Sequence, residues 1–156
     1  MSTFNSRRRD RAGAAIVLLL VAVALGNALM AVQAAVADAR IISVNDGGSA
    51  DRHMLYAIGG GSFAVLVTDG GVTQGAITYA GNATGITRLA SSLQANRLDL
   101  AVNGGAGTPD TSATMPTVNA IHIGHYGGAL QLGGWVRRIG IAPITRTTAE
   151  LQALTA

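Results

Sequence analysis

Gly124-His125-Tyr126-Gly127-Gly128 sets an imidazole and a phenol side by side among glycines. Glycines let a ligand approach the backbone closely, and aromatic rings stack on sugar faces. His125 and Tyr126 are therefore candidate glycan contacts, with Trp135 shortly downstream as a third. The alternative has Tyr126 covering an edge of the fold and Trp135 packed inside it. Asn45, Asp46 and Asp51 lie close enough in sequence to offer oxygens to calcium, a hard cation that gathers about six to eight of them. Solvated turn carboxylates explain the same three residues. The histidines are His53, His122 and His125. On a strand, the spacing of the last two puts them on opposite faces, which argues against zinc held by both.

Catalytic patterns are missing. Glycosidases commonly work with two carboxylates across the scissile bond, and the chain has a single glutamate, Glu150, with no cluster of acids on one strand face. There is no G-x-S-x-G elbow and no Walker A loop. Gly59-Gly60-Gly61-Ser62 leads into another extended run, so it lacks the helix N-terminus that would help cradle a phosphate. No enzyme is expected, and no cofactor other than calcium.

The elements that must hold these residues follow from composition and pattern. The 156 residues suffice for one domain with its own core. Hydrophobic residues make up 49% and charged residues 12%, which argues against disorder. The 21 glycines follow no three-residue period, which excludes collagen. The net charge of +3 lies wholly in the first 40 residues, where five arginines meet Asp10 and Asp38; six arginines and six acids balance in the rest. The body therefore carries no basic footprint for nucleic acid. Without cysteine, disulfides and thiolate metal sites are impossible.

Residues 1–11 form a basic polar head, and Ala12–Ala37 is an uncharged apolar run of 26 residues. As a helix that run spans about 39 Å at about 1.5 Å per residue, more than the roughly 30 Å hydrocarbon core. It reads as a transmembrane anchor with the body outside, as a signal peptide cleaved after Ala35-Val36-Ala37, or as a structural N-terminal element. In the last case Ala14–Leu25 is a buried helix or strand, and Ala28–Val36 is the first strand of the body.

Residues 38–156 have the texture of a β-sandwich. Strands are expected near Arg40–Val44, His53–Ile58, Phe63–Thr68, Val72–Tyr79, Arg88–Leu93, Arg97–Val102, Val118–Ile123 and Trp135–Ile141, separated by Gly, Asn and Asp clusters. Asp69-Gly70-Gly71 between two of them is the clearest hairpin. In Arg97–Val102, Leu98, Leu100 and Val102 alternate with Arg97, Asp99 and Ala101; Ile121 and Ile123 share a face opposite His122. Thr147-x-x-Glu150 is a capping box that opens a short closing helix.

Asn96–Gly105 (NRLDLAVNGG), Asp110-Thr111-Ser112, the run from Ile121, Trp135–Pro143 (WVRRIGIAP) and Thr148–Leu154 (TAELQAL) together resemble a family of phage structural proteins. In that family an R-R-I strand and a short A-E-L-Q helix close a concanavalin A-like, laminin G-like jelly roll. The resemblance spans about residues 40–156 and is strongest after Arg97. It implies an all-β jelly-roll sandwich with an apolar N-terminal segment and a short C-terminal helix. It further implies a non-catalytic virion module, on the tail or particle surface, whose partners are other virion subunits or copies of itself and host glycans. The alternatives are a membrane-anchored or secreted lectin-like adhesin and a degraded glycan hydrolase.

Overall fold

The computed structural model describes residues 16–24, 39–80, 86–126 and 130–156, with Ile16–Ala24 and Trp135 described by backbone only. The basic head, Ala28–Val36 and Gly127-Gly128 lie outside the described residues.

Two five-stranded antiparallel sheets form the structure. The front sheet runs β5 (Val72–Tyr79), β4 (Ser62–Asp69), β3 (Arg52–Gly59), β2 (Ala39–Asn45), β9 (Ala120–Ile123). The back sheet runs β10 (Trp135–Ala142), β1 (Ile16–Ala24), β6 (Ile86–Gln94), β7 (Arg97–Val102), β8 (Gly105–Ala106). All eight strands expected from the body are present. Within the apolar run, Ile16–Ala24 takes the strand form. β1 pairs with β10 on one side and with β6 on the other, with a register shift between Leu20 and Val23. No described helix is long and apolar enough to cross a membrane.

Alternation decides which side chains meet between the sheets. Ile42 and Val44 of β2, Leu55 of β3, Val65 and Val67 of β4 and Ile77 of β5 face Leu89 and Leu93 of β6 and Leu98, Leu100 and Val102 of β7. One polar pair crosses this core: His53 of β3 and Ser91 of β6, both wholly buried, approach to 3.2 Å between Nε2 and Oγ. The hairpin at Asp69 turns through Gly70 and Gly71, whose positive φ angles of 59° and 80° cost glycine least.

The closing helix α1 (Thr148–Thr155) starts with the expected box. The Thr147 side chain accepts from the Glu150 amide, while the Glu150 carboxylate accepts from the Thr147 amide. Leu151 of α1 packs on Ala90 and Ala101, on the outer side of the back sheet. Arg97 and Asp99 point to that same side, and Thr148 joins them there through hydrogen bonds to both.

Candidate functional site

The outer face of the front sheet is built from strand register. A bulge in β2 between Arg40 and Ile42 sets the pairing of the residues on either side of it. Arg40 stands opposite Tyr56, Ser43 opposite Met54, and Asn45 opposite Arg52. The rows continue to Ala64, Leu66 and Thr68 on β4, and His122 of β9 stands beside Ser43. Since Ile42, Val44 and Leu55 face the core, these alternate residues face out.

An outer face would ordinarily be wet, yet Ser43, Asn45 and Met54 have no exposed surface. After β9 the chain turns back beside β2. Gly124 takes φ 73°, its amide donates to the Ile41 carbonyl, and the Arg40 amide donates to the Leu130 carbonyl. This turn brings together residues that a continuous strand would separate. The rings of His122 and His125 lie 5.4 Å apart between centroids, and His122 meets Tyr126 edge-on at 6.3 Å. The expectation that His122 and His125 occupy opposite faces is corrected here, because the positive φ at Gly124 ends the strand between them.

Two arginines lie against tyrosine rings. The guanidinium carbon of Arg40 is 4.6 Å from the ring centre of Tyr56, and that of Arg52 is 5.5 Å from the ring centre of Tyr126. Such stacking is worth about 0.5–1 kcal/mol at an exposed site and more when desolvated. Tyr126 is held from its far end, its hydroxyl donating to the Gly48 carbonyl. The Arg52 Nε donates to the Thr68 hydroxyl at 3.3 Å. The ion pairs found among the described residues are Arg97–Asp99 and Arg146–Glu150, so no described carboxylate neutralises Arg52. A half-buried guanidinium beside aromatic rings, with hydrogen-bonding capacity left over, suits an incoming anionic group.

Of the residues singled out by sequence, His125 and Tyr126 sit in this cluster. Trp135 opens β10 in the other sheet, and its side chain lies outside the described residues. Asn45 contributes to the outer face as an amide. Its Oδ1 accepts from the Gly47 amide at 2.8 Å, Asp46 Oδ1 accepts from the Gly48 amide at 2.8 Å, and Asp51 Oδ1 accepts from the Gly70 amide at 2.6 Å. Each of the three thus turns an oxygen onto loop backbone. No group of three His, Cys, Asp or Glu side chains able to hold a metal occurs among the described residues. Arg52, Tyr56 and Arg40 were not apparent from sequence, because their common face depends on the β2 bulge and the β2–β3 register.

No protein-family model matches the chain, and no curated protein matches it. Solved structures do. The CBM40 domain of Ruminococcus gnavus IT-sialidase aligns with a TM-score of 0.69 at 15% identity, covering 92% of this chain and 83% of that one. The same domain bound to α2,6 sialyllactose aligns with a TM-score of 0.69 at 15% identity, covering 92% and 84%. Mouse laminin α1 chain domains LG4-5 align with a TM-score of 0.55 at 17% identity, covering 81% of this chain and 33% of that one. The fold is a jelly-roll sandwich of the kind seen in carbohydrate-binding and laminin G domains.

Proposed function

We propose that this chain is a non-catalytic glycan-binding module whose site is the outer face of the front sheet beside residues 124–126, and that it takes sugars bearing a carboxylate. The observation that carries this reading is Arg52: a cation stacked on Tyr126, hydrogen-bonded to Thr68 and paired with no acid among the described residues. The rings of Tyr126, His122 and His125 supply apolar faces beside that charge. The similar domain from the Ruminococcus gnavus enzyme, solved with sialyllactose, is a carbohydrate-binding domain with this architecture. A hydrolytic reading needs two carboxylates flanking a bond, and the residues set in register across this face are Arg, Tyr, Ser, Met, Asn, His, Ala, Leu and Thr.

Calorimetric titration with α2,3- and α2,6-sialyllactose, against lactose, tests the site. Binding of the sialylated sugars that falls at least tenfold in Arg52→Ala is the expected result. Silence across a broad glycan array, or binding indifferent to Arg52→Ala, would sink the reading.

The setting we propose is a phage particle, with other virion subunits as partners. Its support is the resemblance of Trp135–Pro143 and Thr148–Leu154; none of the similar structures named above is a virion protein. Intact-mass measurement on purified particles tests it, and finding the chain only in host membrane fractions would replace it with the anchored adhesin.

A further inference from the structure

The carboxamide of Asn45 is oriented by its own loop. The Gly47 amide donates to Oδ1 at 2.8 Å, which fixes the other terminus as the NH2 group. That NH2 has two neighbours, Ser43 Oγ at 3.1 Å and His122 Nδ1 at 3.0 Å. An NH2 group only donates, so Nδ1 of His122 must accept. A neutral imidazole that accepts at Nδ1 carries its proton on Nε2. Among the described residues Nε2 has no hydrogen-bond partner, and it is not one of the buried polar atoms left unpartnered, so its proton is offered to whatever enters the site beside His125 and Tyr126.

We infer that Asn45 is a positioning residue that holds His122 in its Nε2–H form, so that the ring presents a fixed hydrogen-bond donor to the outer face. Asn45 itself has no exposed surface, so it acts through the ring and not on a ligand. The consequence for recognition rests on the glycan reading. With Nε2–H and the Arg52 guanidinium both donating, the site selects groups that accept, a carboxylate or an amide carbonyl, over groups that must donate.

Long-range proton–nitrogen correlation spectra of the nitrogen-15-labelled full chain at about pH 8, where unperturbed imidazoles are neutral, read the tautomer directly. The expected wild-type spectrum shows His122 protonated at Nε2. In Asn45→Asp a carboxylate oxygen still accepts from Gly47, which preserves the turn, while the other oxygen can only accept and draws the ring proton to Nδ1. The expected result there is a switch to the Nδ1–H form. A wild-type His122 protonated at Nδ1, or an unchanged tautomer in a folded Asn45→Asp, overturns the inference. Addition of α2,3-sialyllactose to the same wild-type sample separates the two claims. Displacement of the His122 nitrogen resonances on binding supports the donor role, and binding that leaves them unmoved overturns it. An absence of binding with the expected tautomers defeats the glycan reading and upholds the control of the ring by Asn45.

Discussion

Tyr126 and Arg52 are locked into one unit. The ring centre of Tyr126 lies 5.5 Å from the Arg52 guanidinium carbon, while its hydroxyl reaches across to the Gly48 carbonyl on the β2–β3 loop. One residue therefore anchors the returning chain and supplies the aromatic surface beside a cation that pairs with no acid among the described residues. The two roles separate by substitution. Tyr126→Phe removes one exposed hydrogen bond, costing about 1 kcal/mol of stability at most, and keeps the ring. Glycan affinity is expected to stay within about threefold, on the order of the stabilisation a single exposed cation–π contact supplies. Tyr126→Ala removes the ring and is expected to weaken sialyllactose binding by at least tenfold in calorimetric titration. Equal losses in both variants would show that the hydroxyl tether, and not the ring, matters.

The polar pair within the core makes a separate prediction about acid. Burial lowers the pKa of His53 from 6.5 to about 4. Its Nε2 faces Ser91 Oγ, and its Nδ1 is buried without a hydrogen-bond partner. Below about pH 6.5 the unfolded chain takes up a proton that the native state refuses. Stability is thus complete above that pH and falls as pH drops toward 4, by about 3 kcal/mol over the whole window. Asp110, held below the ordinary carboxylate range by hydrogen bonds from Ser112, loses its contribution only at lower pH. Urea unfolding at pH 7.5, 6 and 5 should show this slope in wild type and its loss in His53→Gln. The same slope in both proteins would assign it elsewhere.

Much of this architecture was legible in sequence, because it follows from local chemistry. Leu98, Leu100 and Val102 reach the core by simple alternation, and Ala101 meets Leu151 on the other side. Asp69-Gly70-Gly71 makes its hairpin, and Thr147 with Glu150 makes its box. What sequence hid depends on pairing between distant residues. Arg52 and Tyr126 come together only because β3 sits beside β2 in one register and the chain turns back at Gly124. β8 is only two residues long, too short for a hydrophobic period to register. The apolar run preceding residue 38 fitted a membrane or a strand, since an interior strand of a sheet can be as continuously apolar as a spanning helix.

Helix α1 is attached to β7 through one carboxylate. Asp99, with 2% of its side chain exposed, accepts from Arg97 Nε at 2.7 Å and Nη2 at 3.0 Å, and from the Thr148 hydroxyl. Arg97 also donates to that hydroxyl at 3.1 Å. Asp99→Ala leaves the Arg97 guanidinium partly solvated, so the loss is that of charged hydrogen bonds, roughly 1.5–3 kcal/mol. Thr148→Ala is expected to cost less. Because the two share one network, the double variant should be less destabilised than the sum of the singles. Strict additivity in urea unfolding would mean that Asp99 and Thr148 act independently, with α1 held by Leu151 and by the hydrogen bonds of Thr155 and Gln152 with Gly104.

The position of β1 turns the competing readings of the N-terminal run into a folding experiment. Leu18, Leu19 and Leu20 pair with Ile141, Gly140 and Ile139 of β10 on one side and with Ser91, Ala90 and Leu89 of β6 on the other. Without β1, β10 has no partner strand among the described residues and β6 presents an open edge in the middle of the back sheet, the kind of exposed backbone that aggregates. A chain beginning at Asp38 is therefore expected to be insoluble or to lack a cooperative thermal transition, whereas one beginning at Ala12, which retains β1, should melt as the full chain does. Release at Asp38 by a signal peptidase, or burial of residues 12–37 in a bilayer, would remove the same strand. A soluble Asp38–Ala156 chain with a sharp transition and dispersed amide spectrum would overturn this role for β1 and favour the exported, lectin-like domain.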